Sequence, residues 1–456
     1  MPIQLLVLLA TVLPGLAQPD PLALTNVTII DVANGRRVPG QTVIVTGSSI
    51  SAVGPSVPVP SGAKRIDASG KFLIPGLWDM HVHLSMIGRS SLALFLANGI
   101  TGVRDMGGNP ITVLAWRDSV AAGTLVGPRI KAPGNIVESA RWLNNVIGRV
   151  EKIDQPELLA ELKRRFALDT PADGPRVVDS LVRLKADFIK IRNYPSPEAY
   201  AAFARAARER GLRIAGHGPL APQLGVVSDA GFASFEHSLI GVHDGKLVDA
   251  FDGMPDSAQR ALIRRFATNG TAWDPTLVSS RTRFVPDSAL NRIVADSTGA
   301  TDSLLRYVSP VLRRDWRASR ALAAVSSNDD WGPVYRANLR DVRRMADLGV
   351  TILAGTDVAV ITLVPGFSLH EELELLVAGG GLTPREALAA ATLNPARVLG
   401  LTDRTDLIAA TLPADLVLLD RDPLADIRAT RSVRAVVAGG RYYDRAALDR
   451  LLASAR

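Results

Sequence analysis

The sequence predicts an α/β protein: a (β/α)8 TIM barrel with a small β-sandwich built from both chain termini. Three observations carry that expectation. Eight short apolar runs of strand character alternate with amphipathic helical stretches through the middle of the chain. Short alternating strands, broken by turn residues, occupy both ends. Histidine, lysine and aspartate recur at the C-terminal ends of the apolar runs, where a barrel of this kind gathers its reactive groups.

Taken in chain order, residues 1–18 read as a secretory signal. Residues 3–13 are mostly apolar, and Gly15-Leu16-Ala17 offers small residues for cleavage. The run is too short, and Pro14 too close, for a comfortable membrane span. The expected location is therefore exported, periplasmic or secreted, with no stable membrane span once the signal is removed. Residues 19–75 form the first part of the sandwich. Val27-Thr28-Ile29-Ile30-Asp31-Val32 and Gln41-Thr42-Val43-Ile44-Val45 alternate as strands, and Asn34-Gly35 and Ala68-Ser69-Gly70 mark turns. Residues 76–402 form the barrel, with strands expected at 77–83, 99–105, 129–133, 186–192, 212–217, 232–237, 271–277 and 350–357. Helical stretches such as Pro197–Glu209 and 338–348 separate them. The long stretch 278–338 reads as helical and polar, suited to a lid or pocket wall. Residues 403–456 supply the second part of the sandwich, through 415–420 and 433–441, and a closing helix over 445–456.

Composition narrows the chemistry. The 456 residues are 47% hydrophobic and 21% charged, which excludes wholesale disorder. The net charge is +7, but the arginines are scattered, without the dense basic run of a nucleic-acid binder. Cysteine is absent, which excludes disulfides, thiolate metal sites and a cysteine nucleophile. Any metal must be held by nitrogen and oxygen.

His81 and His83 end the first barrel strand. Residues i and i+2 of a strand point to one face, so two imidazoles aim at one point. Lys190 lies near the end of the fourth strand, where an apolar setting is a poor place for an unpaired ammonium. His217 ends the fifth strand, His237 the sixth and Asp357 the eighth. Each has an ordinary alternative: half-buried strand histidines, a turn residue, a helix cap for Asp357, a lysine reaching the rim. Together, these six at strand ends, including four of the six histidines in the chain, point to a metal site.

The pattern resembles the amidohydrolase superfamily over nearly the whole chain. The motifs are Pro75-Gly76-Leu77-Trp78-Asp79-Met80-His81-Val82-His83, the strand lysine, two single histidines and Gly355-Thr356-Asp357. The run 368–376, with Leu382-Thr383-Pro384-Arg385-Glu386-Ala387-Leu388 and Ala391-Thr392-Leu393-Asn394-Pro395-Ala396, is similar to the imidazolonepropionase-like branch. That branch holds binuclear-metal Xaa-Pro and Xaa-Arg dipeptidases and carboxypeptidases, and ochratoxin amidases. The resemblance implies two divalent metal ions, zinc before others. His81, His83 and Asp357 would hold the buried ion, and His217 and His237 the more exposed one. Lys190, carboxylated by CO2, would bridge them. The implied reaction is hydrolysis of an amide or peptide C–N bond in a dipeptide, carboxypeptidase-type or N-acyl amino acid substrate. The nucleophile would be a metal-bridging hydroxide and Asp357 the proton shuttle.

Two other readings remain open: a lactone, phosphotriester or cyclic imidazolone hydrolase on the same metals, or an exported non-catalytic binding protein. Deamination is disfavoured, because His217 is followed by Gly218-Pro219-Leu220-Ala221 rather than by a glutamate. Arg192, Tyr194 and His243 are candidates to bind substrate, with rim and surface-loop roles as their alternatives. His370 reads as packing or support behind the site, and Trp273 and Asp274 as pocket floor. The expected partners are a small-molecule or short-peptide substrate, no nucleic acid and a second copy in a homo-oligomer.

Overall fold

A computed structural model describes residues 21–152, 155–323, 331–404 and 406–455. The expected signal, residues 1–18, lies outside the described residues. The strands are, in chain order, β1 (Leu22–Asp31), β2 (Arg36–Thr46), β3 (Ser49–Gly54), β4 (Lys64–Asp67), β5 (Phe72–Pro75), β6 (Leu77–Val82), β7 (Ile100–Asp105), β8 (Arg129–Lys131), β9 (Val137–Ser139) and β10 (Phe166–Leu168). They continue with β11 (Ile189–Ile191), β12 (Ile214–His217), β13 (Phe232–Glu236), β14 (Ile240–His243), β15 (Lys246–Asp249), β16 (Ala272–Asp274), β17 (Leu416–Leu419), β18 (Val433–Ala438) and β19 (Arg441–Asp444).

The two ends of the chain share one sheet, ordered β19-β18-β17-β5-β1-β2-β3, with β4 also on β1. The join is the antiparallel pairing of β17 with β5, from Leu416 opposite Pro75 to Leu419 opposite Phe72. The sequence suggested two stacked sheets; because β5 carries the ladder from one terminus to the other, the sheet is continuous. The period-two alternation sorts its residues. Leu73, Leu416 and Leu418 face a core that the sheet encloses with Val27, Val43 and Val45. Ile74, Val417 and Leu419 face the main body of the protein.

The middle of the chain is parallel β-structure with helices between its strands. A three-stranded sheet is ordered β6-β7-β8 and a six-stranded one β10-β9-β11-β12-β13-β16. The segment 350–358 links them. It makes parallel bridges from Val358 to Val82 and from Ile352 to Trp273. Met80 N donates to Ala354 O at 3.0 Å, and Leu353 N to Trp273 O at 2.8 Å. On the other side, Asp187 N donates to Ala132 O at 2.8 Å. The expected eighth strand thus exists as bridges rather than as a ladder, and through it the two parallel arrays are joined.

The helices bury one face against these strands. Pro197–Glu209 starts where Ser196 accepts a hydrogen bond from Ala199 N, with proline in its first turn, and buries Tyr200 and Phe203. The stretch expected to be helical after 277 contains Leu277–Arg281, Asp287–Ala295, Pro310–Ala323 and Gly332–Asp347. Trp316 Nε1 donates to Ala359 O at 2.9 Å and Ser309 Oγ to Ile87 O at 2.7 Å, which fastens this region beside the strand ends. Among the described residues, no helix is long and apolar enough to cross a membrane.

Candidate active site

Strand β6 and the residue after it deliver His81 and His83. His81 is fully buried, and its Nδ1 pairs with Glu236 Oε2 at 3.0 Å. His83 Nδ1 lies 2.7 Å from Gly107 O. A carbonyl only accepts, so Nδ1 of His83 carries a proton, which turns Nε2 toward Asp357. Asp357 reaches both rings: its Oδ1 is 3.2 Å from His83 Nε2 and 3.6 Å from His81 Nε2. Ser279 Oγ donates to Asp357 Oδ2 at 3.0 Å.

His237 joins this group. Its ring centroid lies 4.5 Å from that of His81 and 4.8 Å from that of His217. Its Nδ1 is 2.8 Å from Thr276 Oγ1, which leaves Nε2 unencumbered. Both His237 and Asp357 have left-handed backbones, with φ of 63° and 58°. That conformation costs a non-glycine residue about 1–3 kcal/mol and persists only where neighbours impose it. Here Asp357 N donates to His81 O at 2.7 Å and His237 N to Asp274 O at 2.8 Å. The turn at each strand end swings the side chain inward. Glycine stands just before His217 (Gly216) and two positions before Asp357 (Gly355) for want of space. A Cβ on Gly216 would fall 1.8 Å from Ile191 O, and one on Gly355 2.3 Å from Asp274 Oδ2.

Lys190 is 2% exposed, and its Nζ has no hydrogen-bond partner among the described residues. Burial lowers its pKa to about 8, against the pull of Glu236 and Asp357. A neutral amine is therefore accessible near neutrality. Burial also pulls His81, His217 and His237 well below the usual histidine range, so these imidazoles are neutral. For His83 burial pulls the same way, but the hydrogen bond and charge of Asp357 outweigh it and the pKa is raised. Burial would raise Asp357; His237, His83 and His81 outweigh it and hold the carboxylate ionised.

The donor set fits a divalent cation. His81 Nε2 is buried with no hydrogen-bond partner among the described residues, which is costly unless a ligand completes it. His81, His237 and Asp357 each present one ligand atom, all within 4.8 Å of one another. Neutral imidazole and carboxylate are ligands that zinc-like ions take.

A second layer was not expected from the sequence. Arg104 is 1% exposed, and it donates to Met80 O at 2.7 Å, Ser234 Oγ at 2.8 Å and both oxygens of Glu236 at 2.8 Å. Glu236 in turn orients His81. Asp274 lies beneath, its carboxylate oxygens without hydrogen-bond donors among the described residues; burial, then Glu236, raises its pKa well above the usual carboxylate value. Asp79 accepts from Thr356 Oγ1 at 2.8 Å and is pushed up to about 7, by burial first. A charged residue inside an apolar strand, as Arg104 is, was the available signal. Its partner 132 residues away was not.

The remaining candidates divide. Arg192 is half-buried, its guanidinium carbon 5.1 Å from the centroid of the Trp142 ring. The Tyr194 hydroxyl donates to His217 O at 2.8 Å, so it braces the strand end. His243 is not brought to the group: it lies on an exposed hairpin turn, 3.4 Å from Asp244. His370 is buried and committed on both nitrogens, to Thr430 Oγ1 at 3.0 Å and Asn98 O at 3.1 Å, so it ties the terminal segment to the body. Trp273 is buried and donates to His237 O at 2.7 Å.

Residues 72–442 match the amidohydrolase family. Ochratoxinase of Aspergillus niger is 24% identical over 459 residues, which covers 88% of this chain and 82% of that protein. A 67-residue stretch, 15% of this chain, is 39% identical to adenine deaminase of Edwardsiella ictaluri (strain 93-146), and spans 11% of that protein. Among solved structures, bottromycin amidohydrolase superposes with a TM-score of 0.71 at 25% identity, covering 96% of this chain and 91% of that one. A Xaa-Pro dipeptidase with bound methionine gives 0.64 at 21% identity, over 93% and 100%.

Proposed function

This chain belongs to the amidohydrolase family, and from that premise we propose that it is a metal-dependent hydrolase of an amide C–N bond in a short peptide or N-acyl amino acid. The observation that carries the reading is the convergence of His81, His83, His237 and Asp357, together with the buried amine of Lys190, which has no hydrogen-bond partner among the described residues. Amide-cleaving relatives such as ochratoxinase and bottromycin amidohydrolase support it. We further propose that the two parallel arrays and the 350–358 segment are the wall of one (β/α)8 barrel, and that the protein is exported.

In this proposal His81, His83 and Asp357 would hold one divalent cation and His217 and His237 a second, zinc before others. Lys190 would be a further ligand. As the neutral amine it would add to CO2, forming an N–C bond and releasing one proton, and the resulting carbamate anion would offer two oxygen donors. The cations supply Lewis-acid charge and lower the pKa of water toward about 7. The residues do the rest. Asp357, oriented by Ser279, accepts a proton from the attacking water. A C–O bond forms at the carbonyl carbon and the C–N bond breaks. Asp357 returns the proton to the leaving nitrogen, so water, substrate, acid and amine balance. Glu236 and Gly107 keep the Nε2 atoms of His81 and His83 aimed.

The test is a substrate panel after zinc or cobalt loading: Xaa-Pro and Xaa-Arg dipeptides, N-acyl amino acids, lactones and phosphotriesters. Release of free amine from at least one amide class, lost on chelation, is the expected result. Turnover confined to lactones or phosphotriesters would overturn the proposal.

A further inference from the structure

Two arginines sit above the candidate site with no carboxylate partner among the described residues. Arg192 lies two residues beyond Lys190 on the same strand face, stacked on Trp142. Its neighbour Arg165 differs: it is spent on Glu138 and Glu161. Arg283 approaches from another side. It lies four residues after Ser279, whose hydroxyl donates to Asp357, on the short 3-10 turn Thr282–Phe284 that follows. Its guanidinium carbon lies 4.0 Å from the centroid of the Trp331 ring. Nearby Arg281 is again different, being paired with Glu371.

Arg192 follows β11, whereas Arg283 comes after β16, and β12 and β13 lie between those two strands in the sheet order. Each guanidinium rests a flat face on an indole, which leaves its edge N–H groups free for an anion. Arg192 is half-buried and Arg283 exposed. Burial lowers the pKa of both guanidinium groups. The charge of Asp357 reaches both. Asp315, half-buried on the His83 side, disfavours an anion there.

We propose that Arg192 and Arg283 bind two carboxylates of one substrate on either side of the scissile amide, so that preferred substrates are acidic dipeptides or amino acids N-acylated by a dicarboxylic acid. The inference rests on the amide-hydrolase reading above. Arg192 receives the carboxylate on the amine side and Arg283 the acid on the acyl side. Each is a fork suited to a bidentate carboxylate.

The first test compares kcat/KM on matched pairs, Glu-Xaa against Gln-Xaa and Asp-Xaa against Asn-Xaa. The acidic member is favoured by about 10-fold or more, the scale of one charge-assisted hydrogen-bonded pair. Arg283→Gln brings that ratio toward one, and Arg283→Glu inverts it; Arg192→Gln raises KM on every member. A wild-type ratio near one, or a ratio indifferent to Arg283→Gln, overturns the proposal. The second test needs no turnover. Calorimetry with α,ω-dicarboxylates from succinate to suberate shows tighter binding than butyrate, weakened in both variants. Equal binding of mono- and dicarboxylates overturns the proposal as well. Dicarboxylate binding that depends on both arginines, with no amide cleaved, supports the clamp and sinks the hydrolase reading alone.

Discussion

Asp357 concentrates the chemistry of this site in one side chain: a left-handed backbone, contacts to His81 and His83, and a hydroxyl from Ser279. Asparagine keeps that shape and removes the proton acceptor. Asp357→Asn is expected to lower kcat by about 10²–10⁴-fold, the usual worth of a positioned base, with unchanged circular dichroism. Residual activity above a tenth of wild type would remove Asp357 from the proton path. Lys190→Met is expected to abolish turnover and to cut the metal content of the purified protein, because a thioether cannot be carboxylated. Full metal occupancy in that variant would show that Lys190 is not a ligand. These six ligand candidates were legible in the sequence because strand periodicity fixes which residues share a face and the strand ends fix where they meet. The clustering of His81, His83, His237 and Asp357 accords with that face assignment once the strand ends meet. Arg104 and Glu236 were not legible as a pair, since pairing between distant strands depends on how the chain closes.

At the level of elements, the helix Ser368–Ala378 is tied to the region after β16 by Glu372, which accepts from Leu277 N at 3.0 Å and Val278 N at 2.7 Å. Burial raises its pKa to about 8, although those donors pull it down. The folded state thus prefers the neutral carboxyl. The stability this contributes is complete below the unfolded value of 4.5 and is lost as pH rises through about 8, with a slope of up to about 1.4 kcal/mol per pH unit. Glu372→Gln is expected to flatten the denaturation midpoint between about pH 5 and pH 8; an unchanged slope would assign it to other groups. Arg104 joins β6, β7 and β13 from within. Arg104→Met leaves Glu236 buried without its cation and is expected to destabilise by about 3–5 kcal/mol in urea. A loss under about 1 kcal/mol would mean that the Arg104–Glu236 pair does not hold these strands together. Strands β6, β7, β8, β11, β12, β13 and β16 were foreseen, although β8, β11 and β16 are only three residues long. Strands β9 and β10, three residues each, and the β14–β15 hairpin, four residues a strand, were not.

Across the whole molecule, one sheet uses both ends of the chain, and residues 416–419 divide alternately between its own core and the main body. The pairing of the termini was legible from matching strand patterns. The continuity of the sheet was not, since it depends on β5 being shared. The same long-range closure brings β6, β13 and the 350–358 segment together, and with them the imidazoles and the carboxylate. If they grip cations, ligand binding stabilises only the folded state. The most direct measurement is therefore the metal-to-chain ratio by inductively coupled plasma mass spectrometry after zinc saturation and desalting. Two ions per chain in the wild type, falling to one or fewer in a His217→Ala, His237→Ala double variant, is the predicted result; fewer than one ion per chain in the wild type would contradict the account.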